Sequence, residues 1–174
     1  MKENVVLIGM PGCGKSTVGV VLAKMLGFRF LDSDLVIQES EGRLLSEIIE
    51  KDGIDAFNEV ENRVNASINA TRSVIATGGS VVYGRDAMRH LGEIGVIVYI
   101  RLPYNVIRRR LGNLAKRGVS IRKGQTLRQL YDERVPLYEK YADIIVDERG
   151  KGISDTAAYI AQQVRKKLYE GKDA

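Results

Sequence analysis

Near the start of the chain stands Gly9-Met10-Pro11-Gly12-Cys13-Gly14-Lys15-Ser16-Thr17, which satisfies the phosphate-binding pattern G-x-x-x-x-G-K-[ST] at every fixed position. Glycines at these places let the backbone turn tightly and aim its N–H groups at phosphate oxygens. Lys15 can reach the β- and γ-phosphates, and the Ser16 hydroxyl is placed to ligate Mg²⁺. Gly12, Cys13, Gly14, Lys15, Ser16 and Thr17 are therefore the expected nucleotide-binding residues. Cys13 fills a variable loop position, and its thiol is given no catalytic role.

Other residues suit the transfer of a phosphoryl group, which needs positioning and charge neutralisation more than covalent help. Asp32 and Asp34 follow the short apolar run Phe30-Leu31. Asp32 is the candidate metal carboxylate, held in part through water because Mg²⁺ keeps much of its hydration shell. Asp34 could orient or deprotonate an acceptor hydroxyl. The competing reading is that Asp32 caps the helix that follows and Asp34 is merely solvated. Gly78 and Gly79 could bring backbone N–H groups close to a substrate or simply form a tight turn. Arg117, in a polar glycine-bearing stretch, could close onto the transferring phosphate.

The elements that must position these residues are legible as alternating strand and helix patterns, the signature of a parallel sheet with helices on both faces. Val5–Ile8 reads as a buried strand, and Val18, Val21, Leu22, Met25 and Leu26 recur at helical spacing before Gly27. Arg29–Leu31 is a second strand, with helical segments from about Leu35 to Ala70 broken near Gly42 and Gly53. Further strands are expected at Ser73–Ala76, Gly95–Ile100 and Asp143–Val146. Helices are expected around Asp86–Gly92, from Pro103 to Leu111, from Leu127 to Tyr141 and from Ser154 to Tyr169. In such a sheet ligands collect beyond the carboxyl ends of the strands. The phosphate loop, Asp32/Asp34 and Gly78/Gly79 should meet there.

Composition narrows the classes. At 174 residues the chain suits a single domain, 1–174, and no run approaches the ~18 apolar residues of a membrane span. Nor does the beginning read as a signal peptide, because the strand and loop start almost at once. One cysteine excludes an intrachain disulfide and fits a cytoplasmic location. The charge of +5 suits anionic small molecules as well as nucleic acid. Without tryptophan, and without a basic stretch interleaved with aromatics, no nucleic-acid partner is expected. The single histidine, His90, reads as structural.

Along almost its whole length the chain resembles the shikimate kinases. The matching residues are Gly9–Thr17, Phe30–Asp34, Gly53 with Phe57 and Glu61, Thr77–Gly79, Arg110 with Arg117, and Glu133-Arg134-Val135-Pro136-Leu137-Tyr138. The resemblance implies a three-layer α/β/α P-loop fold with a five-stranded parallel sheet of order 2-3-1-4-5. It implies ATP and Mg²⁺, transfer to a ring hydroxyl of shikimate, substrate-binding helices at about 35–70, and a mobile lid at about 111–126. It assigns Asp34 to the acceptor hydroxyls, Gly79 to substrate contact and Arg134 to the substrate carboxylate. Arg110 is implied to stack on adenine, Arg117 to reach the phosphates, and the chain to act as a monomer.

Four departures accompany the matches. After Phe57 the family has an arginine that grips the substrate carboxylate, and here the residue is Asn58. Ser80 replaces a third glycine, Arg117-Gly118-Val119-Ser120 replaces R-P-L-[LM], and Lys151-Gly152-Ile153 lacks a proline. Asn58 can still donate hydrogen bonds, but it carries no charge and reaches less far. Either Arg134 and another basic residue hold the carboxylate, or the acceptor is a different small hydroxylated compound. A third reading is a nucleotide-binding module without catalysis. A nucleoside monophosphate kinase is disfavoured by E-R-x-P-L-Y, and a GTPase by the absence of N-K-x-D.

Overall fold

The apolar run at the start forms strand β1 (Asn4–Ile8), buried at all five positions. A strand with both faces covered belongs in the middle of a parallel sheet. β1 is hydrogen-bonded to β3 (Ser73–Ala76) on one side and to β4 (Gly95–Arg101) on the other. β2 (Arg29–Asp32) lies outside β3 and β5 (Ile144–Asp147) outside β4, all parallel, so the order is 2-3-1-4-5. The computed structural model describes residues 2–112, 119–148, 150 and 152–169.

Helix α1 (Lys15–Leu26) begins at the phosphate loop and stops at Gly27, whose left-handed backbone (φ 66°) lets its N–H close onto the Ala23 and Lys24 carbonyls. α2 (Ser33–Glu41), α3 (Leu45–Asp52) and α4 (Ile54–Ala66) follow β2, with the expected breaks at Gly42 and Gly53. These three helices carry a small apolar cluster of their own, Ile37, Ile48, Phe57 and Val64. α4 stops at Ala66, four residues before the expected end. The Ala70 carbonyl is instead held by the Asn4 side chain, which fixes the entry into β3.

A short 3₁₀ turn at Val81–Tyr83, absent from the sequence reading, leads into α5 (Arg85–Ile94). α6 (Tyr104–Leu111), α7 (Leu127–Tyr141) and α8 (Ile153–Tyr169) complete the helices. α7 opens with a reciprocal cap in which the Thr126 hydroxyl accepts from Gln129 N and the Gln129 side chain accepts from Thr126 N. α1 and α8 pack together on one side of the sheet, and α5 packs on β1 and β4 with α4 against it, which gives three layers. Among the described residues no helix is long and apolar enough to cross a membrane.

Asn4 is the polar exception in the core, at 1% exposure. Its Nδ2 donates to the Ala70 (2.7 Å) and Ile94 (3.0 Å) carbonyls, and its Oδ1 accepts from Ser73 N at 3.0 Å. One side chain thus joins the start of the central strand to the entries of β3 and β4. Removing it strips the Ala70 carbonyl and the Ser73 N–H of this partner, while the Ile94 carbonyl keeps the Glu3 N–H at 3.1 Å. Asn4→Ala should therefore lower stability by about 2–4 kcal/mol, read as a reduced urea midpoint with an unchanged slope.

Candidate active site

At the carboxyl ends of β1, β2 and β3 lies a cavity of about 310 Å³, within the range of small-molecule sites. The phosphate loop forms one wall, and Asp34, Glu61, Gly78, Gly79 and Arg134 form the others. The three groups expected to meet do so here.

In the loop, Gly9, Gly12 and Gly14 all have positive φ (146°, 78° and 96°), the conformation that turns successive N–H groups inward. Gly14 is also the N-cap of α1, so the helix dipole points at the same place. Lys15 is 8% exposed and donates from Nζ to the carbonyls of Gly9 (2.7 Å) and Met10 (3.0 Å). Cys13 is buried, and burial holds its thiol above the ordinary pKa. Only its backbone suits phosphate binding. Thr17 lines the cavity with Lys15 and Ser16.

Asp32 accepts two hydrogen bonds, one on each oxygen. Its Oδ1 accepts from Asp34 N at 3.0 Å and caps α2, while its Oδ2 accepts from the Ser16 hydroxyl at 3.0 Å. The Ser16–Asp32 pair offers only oxygen donors, as Mg²⁺ prefers, with phosphate and water left to complete an octahedron. Among the described residues no cluster of three or more His, Cys, Asp or Glu could hold a metal alone.

Asp34 turns a buried Oδ1 with no hydrogen-bond partner toward the cavity side of Gly78. Burial, helped by the charge of Asp32 and opposed by Lys15, raises its carboxyl to about 6. Glu61, 1% exposed, lies against Gly78 as well. Burial pushes it up to about 7; Asp34 adds to the rise, while Ser80, Arg134 and Lys15 pull the other way. A side chain at Gly78 would collide with the Glu61 carboxylate. One at Gly79 would come within 2.7 Å of the Pro11 ring and 3.0 Å of Arg134 Nη1. Close approach, rather than an unusual φ, is why both positions are glycine.

Arg134, on α7, is 1% exposed. Its Nη2 donates to the Ser120 carbonyl at 2.7 Å and its Nε to the Tyr83 hydroxyl at 3.2 Å. Among the described residues no carboxylate stands within ion-pairing distance of it. Arg110 lies across the phosphate loop, donating to the Gly12 carbonyl (3.3 Å) and pairing with buried Glu148 (3.3 Å). Asn58 is half-buried, with Oδ1 unpartnered, and does not line the cavity. Arg117 falls outside the described residues.

The sequence shows Glu61 as a family match without a role and Ser120 only as part of the departure from R-P-L-[LM], and it gives no sign of Tyr83. Glu61 did carry a signal. Phe57, Glu61 and Val64 share one helical stripe, and an acid on an apolar stripe is out of place unless it faces a site. Tyr83 carried none, and nothing local ties Ser120 to Arg134, because only the tertiary fold brings them together.

A phosphate loop opening a helix, a Ser–Asp oxygen pair beside it and two carboxyls, Asp34 and Glu61, in the same cavity define a P-loop phosphotransferase. A family model described as shikimate kinase matches residues 11–165. A shikimate kinase of Thermodesulfovibrio yellowstonii is 38% identical over 173 residues, 98% of this chain and 99% of that protein. Another, of Synechococcus sp., is 38% identical over 168 residues, 92% of this chain and 84% of that protein. The solved structure of a shikimate kinase from Acinetobacter baumannii in complex with shikimate matches with a TM-score of 0.80 at 31% identity, covering 99% of this chain and 96% of that one. The chain belongs to the shikimate kinase family, whose members use ATP and Mg²⁺ to phosphorylate a hydroxyl group.

The raised carboxyl of Glu61 makes a stability prediction with a definite sign. Its proton is held more tightly in the fold than in the unfolded chain, whose value is near 4.5. The stability this contributes is complete below pH 4.5 and is lost as pH rises through about 7. Glu61→Gln stays neutral, so it should exceed the native protein by about 1–3 kcal/mol at pH 8 and match it in acid. Melting curves across that range test this; a difference independent of pH would show that Glu61 does not titrate within the fold.

Proposed function

We propose that this chain transfers the γ-phosphate of ATP to a ring hydroxyl of shikimate, a step of aromatic amino acid biosynthesis. The observation that carries the reading is Arg134. It is a buried guanidinium with no carboxylate partner among the described residues, at the wall of a cavity shared with the phosphate loop. Such a cation is costly unless an anion completes it. The carboxylate of the acceptor is that anion.

Each residue then has a task. The N–H groups of Gly12, Cys13 and Gly14 cradle the phosphates, and Lys15 leaves its loop carbonyls to meet the β- and γ-oxygens. Ser16 and Asp32 would hold Mg²⁺, whose charge offsets that on the transferring group. Asp34, unpartnered at Oδ1, orients the acceptor hydroxyl and takes its proton. Gly78 and Gly79 let the acceptor lie against backbone, and Arg134 fixes its carboxylate by charge-assisted hydrogen bonds. Arg110 borders the nucleotide side, and Arg117 closes onto the phosphates from the lid at about 111–126. The helices at about 35–70, with their own small core, form the acceptor side of a single domain, 1–174. The reading is of a monomer in the cytoplasm.

The test is ADP release from ATP with shikimate, beside a panel of polyols, hydroxy acids and nucleoside monophosphates. Saturable turnover on shikimate is expected, falling at least a hundredfold in Lys15→Ala while the circular dichroism spectrum is kept. Turnover on another acceptor alone would overturn the substrate assignment, and turnover on none would overturn the kinase reading.

A further inference from the structure

Arg134 is held by a tyrosine outside every motif of the sequence. Tyr83 ends the 3₁₀ turn after Gly79 and is half-buried. Its hydroxyl accepts from Arg134 Nε at 3.2 Å, and the guanidinium carbon lies 5.3 Å from its ring centroid. The same hydroxyl donates its one proton to Glu133. That commitment leaves an oxygen lone pair for Arg134, which can only donate. The other Glu133 oxygen accepts from Gln125 Nε2 at 3.1 Å, and Gln125 is joined to Arg122 in both directions, N–H to carbonyl at 3.0 Å and N–H to Oε1 at 3.3 Å. The carbonyl of Ser120, in the same stretch, takes Arg134 Nη2.

We propose that Tyr83 is a positioning residue for Arg134, a proposal that rests on the reading of Arg134 as the holder of the acceptor carboxylate. With Nε given to Tyr83 and Nη2 to Ser120, Nη1 is the nitrogen left against Gly79 at the cavity wall. Glu133 and Arg134 are neighbours on α7, so their side chains leave the helix in different directions. The phenol bridges them and links the orientation of the guanidinium to the 120–125 segment. Glu133 orients the phenol and does not touch the acceptor.

Two readouts test this. In Tyr83→Phe, which keeps the ring, KM for shikimate should rise about tenfold, the ratio one charge-assisted hydrogen bond supports, with kcat and KM for ATP within about twofold. Glu133→Ala should shift KM in the same direction and add little in the Tyr83→Phe background. The second readout needs no substrate. The buried Arg134 Nε–H resonance, assigned by its loss in Arg134→Lys, should exchange with water at least tenfold faster in Tyr83→Phe. Unchanged Nε–H exchange, or additive effects of the two substitutions, would overturn the role of Tyr83. Absence of shikimate turnover in the native protein would overturn the substrate reading and leave the exchange measurement to judge Tyr83 alone.

Discussion

Four charges are enclosed together at the carboxyl ends of three strands, and the rest of the site follows from having to accommodate them. Lys15 and Arg134 are buried cations, and Asp34 and Glu61 are carboxyls raised by burial. Lys15 is satisfied by backbone carbonyls and Arg134 by a carbonyl and a phenol, so neither neutralises an acid directly. An interior cation without a direct counter-charge is expensive, and an arrangement of this kind is one that anionic ligands complete. Phosphate beside Lys15 and a carboxylate beside Arg134 would each supply the missing charge. The two carboxyls, poised near neutrality, are suited to hydroxyl groups rather than to further anions.

The fold serves this arrangement by proximity. β1 lies in the middle of the sheet, so its phosphate loop has strand ends on both sides, and the turn after β3 can press against it. Gly79 is where that happens, with the Pro11 ring and Arg134 Nη1 so close that a Cβ there would collide with the ring. Tyr138, one helical turn beyond Arg134, donates to the Gly79 carbonyl at 2.6 Å and stacks on Tyr99 of β4. The helix that carries Arg134 is thereby pinned to the sheet that carries the phosphate loop. The helices from Ser33 to Ala66 stand apart, with their own apolar cluster, and bring Glu61 to the same place.

How much of this could be read in advance depended on how local each feature is. The phosphate loop, Asp32, Asp34 and the paired glycines were legible because each sits within a few residues of a strand end. The strand order came with the family resemblance and the structure has it. Element ends slipped where a distant side chain intervened, as when Asn4 captured the Ala70 carbonyl and α4 ended early. Asp32 was open to two readings, and its oxygens separate, one capping α2 and the other accepting from the Ser16 hydroxyl. Tyr83 was invisible because its partners lie 50 and 51 residues away, and no spacing rule reaches that far.

Asn58 stands where the family resemblance implies a carboxylate-gripping arginine, and it is not among the residues that line the cavity. The account therefore puts the whole recognition of the acceptor's negative charge on Arg134. The most direct measurement is a crystal structure of the protein with shikimate and ADP. It should place the shikimate carboxylate on Arg134, with a ring hydroxyl on Asp34 facing the phosphate loop. A ring turned the other way, with the carboxylate remote from Arg134, would contradict the account.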